Sequence, residues 1–580
     1  MNSLLWSITL GAILLNATAV NAATLDEWRG RTIYQVLTDR FARSDGSTDA
    51  SCEVVDGRYC GGSWKGIKDQ LDYIQGMNFD AIWMSPVVSQ LDQTTIDGEA
   101  YTGYWAQDLY ALNERFGTAE DLRDLIDELH RRGMYIMFDI VVNHMAYAGH
   151  PRQLATQARH LNPFNDEKYY HSYCPVDGDD RQTTEVCWLG SNTVPLADLR
   201  TEKTDVREMF GDWIGEMVSN YSIDGLRIDT ALNVEPGFFP DFVDASNVFN
   251  TGETMDGDNS FVCRWADTIG SILNYPIYYP LIRTFSSPEG NINDLITTIY
   301  TMRENCKDPT AYGIFSENHD VQRFTELTND TAQAKNVLAF NIMADGIPII
   351  YQGQEQHMTG GVNPYTNRAP MWHTEFDTNA ELYKHIADLV LARQHFALDG
   401  DDYTASENDV IYQDYHTFAL RKGKGDKQVI TVLNNNGHTS EDFEIEIKGH
   451  KLEHGTTVLE VLSCTRLTVS KSGILTVPMG SGLPKVIYPE KHLKNSGLCG
   501  EGEPLPKPSP TIIATTYATT INGHSTMVAT SATSSPKHSK LAIGGAPQDR
   551  ATTAALPVLA AVLSILLASS SAFLYRLTGF

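Results

Sequence analysis

Residues 221–233 read Tyr-Ser-Ile-Asp-Gly-Leu-Arg-Ile-Asp-Thr-Ala-Leu-Asn. Ile223, Leu226 and Ile228 give this stretch the apolar character of a buried strand. Arg227 and Asp229 stand two residues apart in it and so share one face. A buried ion pair at best roughly breaks even against apolar packing, so stability alone does not account for the two charges. Two readings are open. The pair is a structural ion pair at a strand end, or Asp229 is a catalytic carboxylate held ionised by Arg227.

Three further strand ends carry polar groups of the same kind. One runs Asp139-Ile-Val-Val-Asn143-His144, one Thr251-Gly252-Glu253, and one Ser316-Glu317-Asn318-His319-Asp320. Any one of them passes for a helix cap or a satisfied core group. Together they bring Asp229, Glu253 and Asp320 to the same end of a sheet. Several carboxylates around one centre, without paired histidine ligands, suit glycoside cleavage. That reaction needs an ionised carboxylate as nucleophile and a protonated acid for the leaving oxygen. A third acid, Asp320, would hold substrate hydroxyls.

The elements that position these groups alternate. Strands are expected over 32–37, 79–84, 134–142, 248–250, 312–315 and 347–351. Between them Ile67, Leu71 and Ile74 recur at helical spacing. Thr118 and Asp121 form a capping-box start for a helix with Leu122, Leu125, Ile126 and Leu129 on one face and Gly133 at its end. Val206, Met209, Phe210, Trp213, Ile214, Met217 and Val218 mark an amphipathic helix that feeds directly into 221–233. Such alternation argues for a parallel sheet covered by helices. No Gly-x-Gly-x-x-Gly follows the first strand and there is no phosphate-binding loop, so a closed (β/α)₈ barrel is expected, with its site at the C-terminal strand ends. The barrel is assigned to 23–143 and 201–400. Residues 144–200 break the rhythm and read as a small inserted domain after the third strand. Over 401–499 short β-rich runs such as 429–433 replace helical periodicity and predict an antiparallel β-sandwich.

The chain has 580 residues and a formal net charge of −29. That charge argues against a nucleic-acid partner, because phosphate binding needs basic patches. Residues 1–22, apolar from Leu4 to Leu15 and closing on Val20-Asn21-Ala22, read as a secretory signal rather than an ordinary N-terminal helix. Eight cysteines suit an oxidising compartment: Cys52, Cys60, Cys174, Cys187, Cys263, Cys306, Cys464 and Cys499. Each is expected to pair with its nearest neighbour in sequence. No Cys-x-x-Cys occurs, which speaks against zinc. Asn220-Tyr-Ser and Asn329-Asp-Thr are candidate glycosylation acceptors. Residues 500–544 form a Ser/Thr/Pro-rich stalk. Gly544-Gly545-Ala546, a polar spacer and an apolar tail match a GPI-anchor signal over 545–580, with Gly544 as attachment residue. The alternative is a retained transmembrane helix, which the tail is about long enough to form.

In their order and surroundings these segments resemble glycoside hydrolase family 13, and within it the secreted fungal α-amylases. The likeness runs from about Leu25 to Cys499 and includes Tyr101-Thr102-Gly103-Tyr104-Trp105, Gly225 to Asp229, Glu317 to Asp320, and Ile347 to Glu355. The resemblance implies that Asp229 is the nucleophile, Glu253 the general acid/base and Asp320 the transition-state stabiliser. It places Arg227, His144, His319 and Arg368 around the sugar at the cleaved bond, with Tyr104 stacked on it. Trp105 comes with the same motif, although by itself it reads as core, like Trp64 and Trp83. The resemblance also implies a structural Ca²⁺ held by Asn143, Glu185, Asp198 and the main-chain carbonyl of Asn233. Oxygen ligands of this kind suit calcium.

Four positions depart from the α-amylase pattern. The histidine before Gly-Tyr-Trp is Thr102. The Lys-His pair after the nucleophile, which meets the sugar on the leaving side, is Leu232-Asn233. An aspartate in the loop after the last strand is Asn363. Losing one such group near the reacting centre weakens transition-state stabilisation by about 2–4 kcal/mol. Poor starch hydrolysis is therefore expected, with transfer to a second glucan chain favoured by the apolar Leu232. Lipid-anchored fungal relatives with these departures resemble 4-α-glucanotransferases of cell-wall α-glucan. The expected partners are an α-1,4-glucan or maltooligosaccharide donor and acceptor. The expected protein is a secreted monomer at the cell surface, touching the membrane only through its anchor. The alternatives are an anchored α-amylase that mainly hydrolyses, an exo-acting α-glucosidase, and a non-catalytic α-glucan-binding wall protein. The intact carboxylates speak against the last.

Overall fold

Seven short apolar segments form parallel strands: β1 (Ile33–Val36), β2 (Ala81–Met84), β3 (Tyr135–Val141), β4 (Gly225–Asp229), β5 (Phe249–Gly252), β6 (Gly313–Ile314) and β7 (Ile347–Tyr351). Every residue in them is buried. This is why they read as continuous apolar runs rather than as alternations. Their order is β5-β4-β3-β2-β1-β7-β6. The computed structural model describes residues 23–178, 180–400 and 402–502, and the backbone of 520–521 and 524–525. The expected signal peptide, most of the stalk, Gly544 and the apolar tail lie outside the described residues.

The ring closes through Ile272 and Leu273. Parallel bridges join Gly252 to Ile272 and Leu273 to Gly313. Leu273 N donates to Gly252 O, and Gly313 N to Ile272 O, each at 2.9 Å. This eighth member was not visible in the sequence. It is too short for any periodicity and runs straight into the helix Tyr275–Phe285. The expected (β/α)₈ barrel is therefore present. Its floor is sealed by Trp28, which stacks on Phe249 and donates from Nε1 to Asp224 O. A Cβ on Gly225 would lie 2.7 Å from the Trp28 ring, so β4 must begin with glycine.

The helix Ala119–Arg131 has its capping box, with Thr118 and Asp121 exchanging hydrogen bonds, and it buries Leu122, Leu125, Ile126 and Leu129. The helix Thr204–Tyr221 buries Val206, Phe210, Trp213, Ile214 and Met217, and ends where Ser222 turns left-handed. The helical spacing of Ile67, Leu71 and Ile74 resolves into two helices, Trp64–Asp69 and Leu71–Gly76, broken at Gln70. In the insertion, His144–Ala146, Pro195–Asp198 and Leu189–Gly190 make a three-stranded antiparallel sheet.

The C-terminal region is antiparallel throughout. Its strands are β8 (Asp409–Gln413), β9 (Thr417–Lys422), β10 (Val429–Asn434), β11 (Phe443–Ile447), β12 (Thr457–Glu460), β13 (Thr465–Thr468), β14 (Leu475–Met479) and β15 (Lys485–Pro489). One sheet runs β8-β9-β10-β15-β12-β13, and β11 pairs with β14 in a second. Ala419, Ile430, Val432, Ile445 and Val477 fill the space between them. The alternate residues Phe418, Leu420, Val429 and Leu433 face the barrel helices and join the main core. Four disulfides join Cys52 to Cys60, Cys174 to Cys187, Cys263 to Cys306 and Cys464 to Cys499, the nearest-neighbour pairing expected. Asn220 and Asn329 are both exposed. Among the described residues no helix is long and apolar enough to cross a membrane.

Candidate active site

One guanidinium organises the C-terminal end of the barrel. Arg227 Nη1 lies 2.8 Å from Asp229 Oδ1 and 2.8 Å from Asp139 Oδ1, and its Nη2 lies 2.7 Å from Glu253 Oε1. The arginine is fully buried. Parallel register sets this up. β4 pairs with β3 on one side, placing Arg227 beside Asp139, and with β5 on the other, placing it beside Thr251, two residues before Glu253.

The residue after Asp229 is itself unusual. Thr230 has φ 45°, a conformation that β-branched residues rarely adopt. The twist aims Thr230 N at Glu253 Oε2, 3.0 Å away. Tyr275 OH donates to the other oxygen of Glu253 at 3.3 Å and accepts from Asn318 Nδ2 at 3.0 Å. Glu253 is thereby tied to the turn that carries Asp320. Asp139 accepts from Trp83 Nε1 at 2.9 Å and from Tyr104 OH at 2.8 Å as well as from Arg227. The Tyr104 ring lies parallel to that of His319, with centroids 5.3 Å apart.

Asp320 sits in a different electrostatic setting. His319 Nε2 lies 3.0 Å from its Oδ2, and Arg368 Nη2 lies 2.8 Å from its Oδ1. Gln35 Nε2, placed 2.8 Å from His319 Nδ1, directs the imidazole proton to the Asp320 side. Burial opposes ionisation, but His319 and Arg368 outweigh it and hold the Asp320 carboxyl well below the usual range. Asp229 behaves in the opposite way. Burial pushes its carboxyl well above the usual range, Arg227 pulls it back, and Glu253, Asp139 and Asp320 raise it further. Arg227 thus favours the ionised form of Asp229, as expected, against burial and three like charges. One cation is shared among three acids in a dry site, so their charges are not fully balanced.

Two expectations change. His144 is 1% exposed; its Nε2 donates to Tyr104 O at 3.1 Å and its Nδ1 lies 3.1 Å from Asn143 Nδ2. Both ring nitrogens are engaged inside the protein, where the ring braces the backbone behind Tyr104. Trp105 packs with Leu91, Ala100, Ala146 and Val194, away from the acids, because its backbone is held between Gln90 and Leu91. Conversely, Asp139, Trp83, Gln35 and Tyr275 belong to the site although the sequence did not single them out as site residues. Only Asp139, a charge inside an apolar run, carried a local signal.

A second polar cluster lies beside the first. Burial pushes His144 down to about 4, so the ring is neutral. With its Nε2 proton on Tyr104 O, its bare Nδ1 must accept from the Asn143 amide nitrogen. Asn143 then turns its oxygen away, to within 3.1 Å of Asp198 Oδ1 and 3.0 Å of Asn233 O. The Asn143 oxygen thus meets two others at about the edge length of an oxygen coordination shell around a cation, and burial raises the Asp198 carboxyl to about 7. His171 holds the other Asp198 oxygen at 2.6 Å. Glu185 does not join this group. Its half-buried carboxyl has Glu235 and Arg264 as charged neighbours, and the adjacent Thr184 carbonyl instead accepts from Asn233 Nδ2 at 3.1 Å.

A closed barrel with acids converging at its C-terminal strand ends, an insertion after β3 and an antiparallel domain behind it defines a carbohydrate-cleaving barrel enzyme. The alpha-amylase catalytic-domain family matches residues 35–246 and 239–414, and the alpha-amylase domain C family matches 410–505. The chain belongs to the α-amylase family, glycoside hydrolase family 13. It is 43% identical over 488 residues to alpha-amylase 2 of Schwanniomyces occidentalis, covering 84% of this chain and 95% of that protein. It is 42% identical over 468 residues to the alpha-amylase of Saccharomycopsis fibuligera, covering 80% and 93%. The solved structure of an alpha-amylase from Malbranchea cinnamomea superimposes with a TM-score of 0.80 at 47% identity, covering 82% of this chain and all of that one.

Proposed function

We propose that the protein is a retaining enzyme that opens internal α-1,4-glucosidic bonds of α-glucans and maltooligosaccharides and passes the glycosyl unit mainly to a second glucan chain. In this reading Asp229 attacks the anomeric carbon while Glu253 protonates the departing oxygen, giving a covalent glycosyl-enzyme. Glu253 then takes the proton of the incoming hydroxyl as that oxygen displaces Asp229. Asp320, kept ionised by His319 and Arg368, stabilises the positive charge that builds on the sugar.

The observation that carries the transfer reading is the turn after β4. Leu232 N donates to Glu253 O at 3.1 Å, so this turn flanks the acid directly. It presents the half-buried, apolar Leu232, and Asn233, whose amide is already engaged by Thr184 O. Neither residue carries a cationic side chain. A sugar that covers Leu232 gains from removing apolar surface from solvent, by about 25 cal/mol per Å². Incubation with pure maltoheptaose followed by chain-length analysis tests this. Products longer than the substrate are expected, and shorter products alone would sink the transfer reading. Leu232→Lys with Asn233→His is expected to move the products toward hydrolysis. A second reading, an α-amylase that mainly hydrolyses, is favoured by the names of the relatives above.

Asn143, Asp198 and the Asn233 carbonyl would hold a Ca²⁺ that ties the end of β3, the insertion and the turn after β4 together. Its contribution is structural and electrostatic, and no bond is made or broken on it. The same reading places the protein at the cell surface through a lipid anchor at Gly544. Release from membranes by a phosphatidylinositol-specific phospholipase tests that.

A further inference from the structure

Among the tyrosines around the catalytic centre, Tyr101, Tyr275 and Tyr351 are at most 5% exposed, whereas Tyr365 is 45% exposed. Tyr365 lies in the loop after β7. Its ring covers the Arg368 guanidinium at 3.8 Å, and that guanidinium is the one bonded to Asp320. The aromatic surface therefore stands one side chain out from the stabilising acid.

The loop is held rigidly. Asn367 is fully buried, and its Nδ2 donates to His319 O at 2.9 Å and to Val321 O at 2.8 Å, the carbonyls that flank Asp320. Gly361 N donates to Thr366 Oγ1, and Asn367 N to Gly361 O. Gly360 has φ +149°, and a Cβ there would lie 2.4 Å from Asn367 N, so the backbone folds tightly on itself. A tyrosine presented this way offers a flat amphipathic surface at low conformational-entropy cost. The turn Val54–Asp56, in the loop closed by Cys52–Cys60, packs beside Thr366–Arg368, and Val55 is 67% exposed on it.

Topology sets the side on which this surface lies. Around the ring of eight, β4 and β7 are four places apart and so face each other across the barrel axis. Leu232 follows β4 and Tyr365 follows β7. If the Leu232 corner receives the acceptor, Tyr365 stands on the opposite, donor side.

We propose that Tyr365 is a sugar platform for the donor chain, stacking on the glucosyl unit next to the one that reacts at Asp229. This rests on the proposed function and adds to it a residue that sets donor length. α-Glucosyl fluoride fills only the reacting position, while α-maltosyl fluoride reaches one unit further, so fluoride release from the two isolates the contact. In Tyr365→Ala, kcat/KM for α-maltosyl fluoride is expected to fall about tenfold, chiefly through KM, while that for α-glucosyl fluoride stays within about twofold. Tyr365→Trp and Tyr365→Phe are expected to retain the wild-type ratio, and Tyr365→Leu, read alongside, repeats the loss with a different side chain. An equal fall on both fluorides would assign Tyr365 to propping Arg368 and overturn the proposal, as would no fall on either. A wild-type enzyme that releases fluoride from neither would instead overturn the reading of the site as glycoside-cleaving.

Discussion

Asp229 is poorly placed for stability and well placed for chemistry. It is buried next to Glu253, Asp139 and Asp320 and shares one guanidinium with two of them. A carboxyl whose folded pKa lies above its unfolded value contributes most to stability below the unfolded pKa. That contribution is lost as pH rises. Asp229→Asn is therefore expected to raise the unfolding temperature at neutral pH. The gain over wild type should shrink as pH falls toward the ordinary carboxylate range. The same variant should lower kcat on maltoheptaose by about four orders of magnitude or more, because the nucleophile is gone. Scanning calorimetry across pH, together with product assays, checks both. A variant that is less stable at pH 7 would mean that Arg227 outweighs burial and like charge. Such a trade of stability for function is common where acids are crowded for catalysis.

At the scale of elements, two junctions carry predictions. The first is the meeting of β3, the insertion and the turn after β4, where Asn143, Asp198 and the Asn233 carbonyl turn their oxygens together. A cation bound there adds stability by mass action. Chelation by EDTA is expected to lower the unfolding temperature and added Ca²⁺ to restore it. In Asn143→Ala that calcium dependence should disappear, as differential scanning fluorimetry would show. The second junction joins the barrel to β9. Lys422 is 1% exposed, and its Nζ lies 3.1 Å from Ala344 O and 3.2 Å from Asp345 Oδ1. Burial, opposed by Asp345, pushes this ammonium down to about 8. Between pH 8 and the ordinary lysine range the unfolded chain binds more protons than the folded one, so stability rises with pH across that window. Lys422→Met is expected to be more stable than wild type at pH 7, with the difference fading above pH 8. Thermal unfolding of the pair at pH 7 and pH 10 decides it.

At the scale of the whole molecule, barrel and C-terminal sheet share a core. Phe340 meets Phe418, and Phe396 stacks on Tyr488 with centroids 4.5 Å apart. The strand alternation that fills the sandwich with Ile430 and Val432 sends Val429 and Leu433 into the barrel's outer layer. Calorimetry of the folded part is therefore expected to give one cooperative transition rather than two. A chain cut after residue 400 should lose solubility, because it would expose the faces of the helices Thr331–Met343 and Glu381–Asp399. Two well-separated transitions would show that the shared core is energetically minor.

Much of this was legible in the sequence because the relevant signals are local. A fully buried parallel strand reads as an apolar run, and a charge set into such a run, as at Arg227, Asp229 and Asp139, stands out against it. Glu253 and Asp320 follow strand ends, where barrel sites are built. Cysteines close in sequence pair readily, and all four bridges followed that rule. The sequence by itself therefore determined the barrel, the three acids and the doubt raised by Leu232-Asn233. What only the tertiary structure decided depends on groups far apart in the chain. Ile272 and Leu273 are strand-like only because β5 and β6 stand on either side of them. Gln35, Trp83 and Tyr275 enter the site because register and barrel closure bring them to His319, Asp139 and Glu253. Glu185 lies outside the oxygen cluster because the fold of the insertion sets it beside Glu235 and Arg264, which no local pattern announces. The electrostatic setting of Asp229 was decided there too. One arginine and one aspartate, read in a line, suggest an ion pair; the fold keeps that pair and adds two more carboxylates to the same guanidinium.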